Sequence, residues 1–317
     1  MNTEGTDELG EVIARARRGR AGPGLVWTPP VEEAMEAMEA TIFVMASRNP
    51  AILSLTLEGL AWSERPEHTV IVIIANDPGN PVIEETQRVA DEFAATHDGF
   101  DVRRVEVKSI PAGSAPAGID GRGLAFYESQ LAYPSDVCVK LDDDMFPVVR
   151  DWFPRLVNTL LTEQTEIAVG MSNMNGMCAK AFVQDIGADW DAIGAGRERI
   201  LYADVVSQRK VWELTMQHWD RVVSWGERSH PVVRIEGFRN TNSVAITRGW
   251  LSRRTREDFY VVGEDERTLN NHKPEDCKTV VLDQSSLLLH WGYTPCRASI
   301  AYIWPELCRR LKELWCA

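Results

Sequence analysis

The run DVCVKLDDDM, residues 136–145, decides the fold. Val137, Val139 and Leu141 are β-branched or apolar and read as a buried strand. That strand runs straight into three consecutive carboxylates, Asp142, Asp143 and Asp144. On an extended chain Asp142 and Asp144 fall on one side and Asp143 on the other. Carboxylates this close repel one another and resist desolvation. A divalent cation with hard oxygen ligands, Mg2+ or Mn2+, removes that penalty. An acidic turn in water is the commoner alternative. The apolar lead-in argues against it, because it places the acids at the C-terminal edge of a buried sheet, where α/β folds hold ligands.

Upstream of this run, residues 40–46 and 69–75 are apolar and predict two buried strands. Between them Asn49 and Pro50 suit a helix cap and first helical position, ahead of Ile52, Leu53, Leu55, Leu57 and Leu60 at helical spacing. A helix over 82–96 and a strand over 102–107 complete a β-α-β-α-β order, which requires a largely parallel sheet with right-handed crossovers. Residues 110–123 are rich in Gly, Ala, Ser and Pro and form a loop. Gly121-Arg122-Gly123 then opens a helix, whose N-terminus with an adjacent Arg suits an anion, although plain Gly-rich turns are common.

Downstream, a helix is expected over 152–161 and a strand over 167–171. Residues 173–200 read as irregular, with Trp190 among acids as part of a pocket wall. Trp212, Trp219 and Trp225 recur at roughly helical spacing and suit a core better than sugar stacking. Residues 237–248 read as a loop entering a strand, followed by a basic cluster at Arg253, Arg254 and Arg256. An apolar run from Phe259 stops at Gly263 and delivers Glu264 and Asp265 to a helix start, where the helix dipole by itself also favours acids. A last apolar run, 285–292, ends in His290. Residues 297–317 predict an amphipathic helix with Leu307, Leu311 and Leu314 on one side, for packing or for a homodimer contact.

The bulk numbers exclude several classes. A net charge of −13 is unfavourable for nucleic-acid backbones. No run is long and apolar enough to span a bilayer. The acidic, polar first residues do not read as a signal peptide, so the expected location is cytoplasmic. The six cysteines lack paired metal-ligand spacing and read as free thiols. The expected organisation is an N-terminal arm over 1–39, a main domain over 40–296 split at 145/146, and a C-terminal helix over 297–317.

In order, an α/β start, an Asp-x-Asp at a strand end, a Gly-Glu-Asp at 263–265 and a His after an apolar run resemble the GT-A fold nucleotide-sugar glycosyltransferases, most closely the inverting family 2-like enzymes. The resemblance covers roughly Ala40 to Trp291. It implies a Rossmann-like mixed, mainly parallel sheet flanked by helices, binding a UDP- or GDP-type sugar donor with Mn2+ or Mg2+. The first 40–145 residues would hold the nucleotide and 146–296 the acceptor and catalytic groups. Ala46 and Ser47 would border the base, Asp77 would bond the base or ribose, and Arg122 would lie near the diphosphate. Asp142 and Asp144 would ligate the metal, with Asp143 beside the nucleotide and His290 completing the metal shell or touching the diphosphate. Asp265 would be the general base, supported by Glu264.

The chain departs from processive polysaccharide synthases in lacking Gln-x-x-Arg-Trp after Asp265. That points to single sugar addition. A nucleotidyltransferase would want a Gly-rich basic loop after the first strand, which Ser47-Arg48-Asn49-Pro50 matches poorly. A non-catalytic sugar- or nucleotide-binding module would have no need of Asp265. The acceptor stays open among a small molecule, a glycan, a protein and a modified nucleic-acid base; Arg253, Arg254 and Arg256 raise an anionic one.

Overall fold

The computed structural model describes residues 38–46, 49–66, 69–75, 82–106, 121–174, 179–191, 193, 204–235, 242–259, 280–292 and 294–317. Strand β1 (Ala40–Ala46) pairs in parallel with β2 (Thr69–Ala75) on one side and with β4 (Val137–Asp142) on the other. Strand β3 (Asp101–Glu106) adds to β2, again in parallel. It is an edge strand, and its charged residues Arg103, Arg104 and Glu106 are exposed, which protects the open edge. Helices α1 (Pro50–Trp62), α2 (Ile83–Thr96) and α3 (Arg122–Ala132) make the crossovers. Asn49 caps α1 as expected, its side chain accepting from Ile52 N at 3.2 Å with Pro50 at the first turn.

The second half is β5 (Met145–Pro147), α4 (Trp152–Thr162), β6 (Ile167–Ser172), α5 (Ala179–Asp185), α6 (Val205–Gln217) and α7 (Trp219–Glu227), then β7 (Val232–Ile235), β8 (Ser243–Thr247) and α8 (Arg248–Leu251). It closes with β9 (Val280–His290), α9 (Thr294–Ile300) and α10 (Trp304–Cys316). The sheet order is β3-β2-β1-β4-β8-β6-β9-β5, with β7 also on β9. Strand β8 runs antiparallel to both β4 and β6, and β9 runs parallel to β6 but antiparallel to β5 and β7. The result is a mixed α/β sheet, parallel through its first four strands. Its directions put the C-terminal ends of β1, β2, β4, β6 and β9, and the first residues of β5 and β8, on one edge.

The core fills both faces of this sheet. Trp212, Trp219 and Trp225 are buried in it, as their spacing predicted, and a turn at His218 divides their segment into α6 and α7. The stretch expected to be irregular contains α5, and Trp190 is buried in the core at 5% exposure. The C-terminal segment is two helices, joined by a 3-10 turn at Ala301–Ile303. The apolar side of α10 is used within the chain: Leu307 and Leu311 are fully buried, and Trp315 lies tilted against Trp62 and donates to the Pro147 carbonyl at 3.0 Å.

Gly59 makes that docking close. A Cβ there would stand 2.8 Å from the Pro147 ring and 2.9 Å from the Trp315 ring. Gly59→Ala should therefore lower stability by ~1–2 kcal/mol in denaturant titration, since overpacking of ~1–3 kcal/mol exceeds the ~1 kcal/mol gained in helix propensity. A stabilised Gly59→Ala would mean that α10 is not held against α1 in this way.

Candidate metal centre

Strand β4 ends at Asp142, and Asp143-Asp144 is the turn that reverses the chain into β5. The extended-strand expectation for the three acids is thus corrected. Asp142 and Asp144 are gathered by a turn, and Asp143 is buried along with Asp144. The turn is tied to α1 through Thr56 Oγ1, which donates to the Asp143 carbonyl. Because β5 starts immediately after the turn and pairs Met145 with His290, the last residue of β9 arrives beside Asp144.

A bulge shifts β9 against β6. Gly170 faces Asp283 but Met171 faces Leu287, so residues 284–286 are extra on the β9 side. The bulge satisfies itself: Ser285 N and Ser286 Oγ donate to the buried Asp283 carboxylate, and Ser286 Oγ also contacts the Trp152 carbonyl. Burial pushes the Asp283 carboxyl up from its ordinary range despite these donors.

Asp142, Asp144 and His290 each offer a ligand atom, and these atoms lie within 4.8 Å of one another. Two ligands on opposite sides of a cation at ~2.1 Å stand ~4.2 Å apart, so a small closure of this cluster accommodates Mg2+ or Mn2+. Two carboxylates and one imidazole are donors that suit such ions, and Mn2+ in particular. An imidazole that ligates through Nε2 carries its proton on Nδ1 and needs an acceptor there. Asn242 Nδ2 stands 2.6 Å from His290 Nδ1, so the amide turned over would present its oxygen as that acceptor. The His290 backbone N–H donates to Asn173 Oδ1 at 2.9 Å, while Asn173 Nδ2, Ser172 Oγ and Ser243 Oγ are buried without partners among the described residues. All three stand at the ends of β6 and β8 that share the edge with the acids. Such groups are costly unless something polar meets them.

Two residues that the sequence analysis passed over belong to this cluster. Lys140, 1% exposed, pairs with Asp142 Oδ1. A lysine in an otherwise apolar strand, two residues from an acid and so on its face, was a legible sign of a buried pair. Arg297 of α9 donates from Nη2 to Asp144 Oδ2 at 2.8 Å and from Nε to the Gly292 carbonyl at 2.6 Å. Gly292, at φ +88°, turns its own N–H onto the same Asp144 oxygen at 3.0 Å. Nothing local in the sequence marks Arg297, because its helical context alone reads as a solvated face.

Burial by itself would raise the Asp144 pKa. The charges of His290 and Arg297, with their hydrogen bonds, outweigh it and hold the carboxyl well below the usual carboxylate range. Burial likewise opposes the Arg297 charge, but Asp144 first, then Asp143 and Asp142, raise its pKa above the ordinary value.

Of the other expected site residues, Ala46 is fully buried at the end of β1, one position beyond the Met45–Asp142 pair. Arg122 is half-buried at the first position of α3, a helix that packs on β1 through Phe126 against Phe43. Ser47, Asp77, Glu264 and Asp265 lie outside the described residues. The basic cluster is spent locally: Arg253 pairs with Glu166, Arg256 with Glu128, and Arg254 lies over the Trp250 ring. Below the acids, Trp291 packs between Trp212 and Trp304, each at a centroid distance of 5.0 Å, so these aromatics form a floor.

No family model matches the chain, and no curated protein does. Among solved structures it is similar to the mannosyltransferase PcManGT from Pyrobaculum calidifontis in complex with GDP-Man and Mn2+, at 12% identity over 90% of this chain and 66% of that one, TM-score 0.47. It is also similar to glucosyl-3-phosphoglycerate synthase from Mycobacterium tuberculosis in complex with Mn2+, UDP-glucose and phosphoglyceric acid, at 14% identity over 93% and 84%, TM-score 0.43. A third likeness is S. aureus TarS, at 8% identity over 81% and 37%, TM-score 0.43. All three TM-scores are below 0.5, and the functional conclusion rests on the site itself.

Asp144 is held ionised, so its contribution to stability is present above the unfolded carboxylate pKa of ~4 and is lost as pH falls below it. Asp144→Asn should cost ~3–5 kcal/mol near neutral pH, the penalty for breaking a buried pair. Denaturant titrations should show the gap from wild type closing as the pH drops below ~4. A gap that stays constant to low pH would show that the folded state does not hold Asp144 ionised.

Proposed function

We propose that this protein is a metal-dependent inverting glycosyltransferase of the GT-A kind, moving one sugar from a UDP- or GDP-type donor to a hydroxyl acceptor. One observation carries this reading: Asp142, Asp144 and His290, from the end of β4, the following turn and the end of β9, converge at the sheet edge where β1 and β2 also end. That edge is where α/β sheets take nucleotides. The buried polar groups around it, Ser172, Asn173 and Ser243, favour a polar ligand.

In this reading Asp142, Asp144 and His290 hold Mn2+ or Mg2+, which when bound offsets charge developing on the departing diphosphate. Asp265 takes the proton from the acceptor hydroxyl as that oxygen attacks the anomeric carbon from the opposite side, and Glu264 orients the acceptor. The C–O bond to the diphosphate breaks as the new glycosidic bond forms, so the anomeric configuration inverts without a covalent enzyme intermediate. The same reading assigns Ala46, Ser47 and Asp77 to the base and ribose, Asp143 to the nucleotide and Arg122 to the diphosphate. No helix among the described residues is long and apolar enough to cross a membrane, which suits single transfer to an acceptor in solution.

The test is a melting-point screen of nucleoside diphosphates and their sugars with and without Mn2+, followed by turnover. A cognate nucleotide at a hundredfold its Kd should stabilise the fold by ~2.7 kcal/mol, and only with metal present. Asp265→Asn should keep that stabilisation and lose ~10²–10⁴-fold in kcat. Product with retained anomeric configuration, or no nucleotide that moves the melting point, would overturn the proposal.

A further inference from the structure

Among the described residues, Asp142, Asp143 and Asp144 stand against Lys140 and Arg297. Asp144 Oδ2, a predicted metal-ligand carboxylate, already accepts from Arg297 Nη2 at 2.8 Å and from Gly292 N at 3.0 Å. A divalent cation entering alone would face the Arg297 guanidinium across a shared carboxylate. Excess charge in a desolvated site is costly. A diphosphate arriving with the cation removes the excess and offers Arg297 a second anionic partner with matching geometry.

We propose that Arg297 is a positioning residue that occupies the cation's place on Asp144 and makes metal binding conditional on the nucleoside diphosphate. This rests on the nucleotide-sugar reading above and deepens it. Arg297 lies in α9 and reaches the acids because Gly292 turns the chain back after β9. Its removal takes one positive charge from beside Asp144 and leaves that carboxylate oxygen to a divalent ion alone. The two halves of the site then respond in opposite senses: metal alone binds tighter, and the help that metal and diphosphate give one another is lost. A purely structural arginine would not produce that pair of changes.

The experiment measures free Mn2+ by its paramagnetic resonance signal while the full chain is titrated, with and without UDP or GDP, correcting for Mn2+–nucleotide complexes formed in buffer. In wild type the cognate nucleotide should tighten Mn2+ by about tenfold or more, and Mn2+ should tighten the nucleotide by the same factor, as linkage requires. Arg297→Met should bind Mn2+ alone about tenfold tighter than wild type and show little further gain from nucleotide. Its melting point should fall without metal and recover on adding Mn2+ more than that of wild type does. Arg297→Lys keeps the charge and should restore the coupling in large part. An Arg297→Met protein that binds Mn2+ no tighter than wild type overturns the proposal. Wild-type Mn2+ affinity that is equal with and without either nucleotide also overturns it, and needs no folded variant. Absence of Mn2+ binding in every protein, with or without nucleotide, overturns the functional reading itself and this proposal with it.

Discussion

A carboxylate as deeply buried as Asp144 can stay ionised only if cations and donors meet it, and those that do come from distant parts of the chain. Arg297 reaches it from α9, Gly292 from the turn after β9, and His290 from the end of β9. Trp291 N also donates to the Asp144 carbonyl at 2.9 Å. One residue thus fastens the β4–β5 turn, the last strand and the C-terminal helices to one another. The C-terminal segment is part of the site for this reason, and the packing of α10 on α1 holds that segment from its far side.

The sheet directions do the rest. Because β4, β6 and β9 run the same way while β8 and β5 run against them, strand ends and strand starts meet on one edge. Polar residues at those ends, Asp142, Ser172, Asn173, Asn242, Ser243 and His290, therefore cluster although they are scattered along the chain. The bulge at 284–286 shifts the end of β9 against β6, so that Ser172 faces Leu288, while β5 pairs Met145 with His290. Its buried Asp283, held by Ser285 and Ser286, shows that a polar device inside the core is tolerated when its hydrogen bonds are made.

Charge balance separates this cluster from an exposed acidic turn. Lys140 on Asp142 and Arg297 on Asp144 offset the repulsion that the sequence alone assigns to three adjacent acids. The site is therefore stable as an ion-paired network, and the same pairing shapes how readily a further cation enters it. Stability and binding are here set by the same residues, so substitutions in the cluster move both.

Periodicity and local chemistry were enough for the strands β1, β2 and β4, the helices between them, the cap at Asn49 and the core role of the tryptophans. They also marked Asp142 and Asp144, because carboxylates at the end of an apolar strand are unusual in a core, while His290 was singled out by the family resemblance. What they could not supply is pairing between segments. Asp144 sits in a turn and not in a strand because β5 pairs with β9, a choice made by residues about 145 positions apart. Arg297 is a half-buried ion-pair partner and not a solvated helix residue because Gly292 folds α9 back over the acids. Local pattern reports a residue's own preference for burial or for helix; which charge meets which is decided only when the strands are in register and low-dielectric surroundings make an unpaired charge too costly to keep.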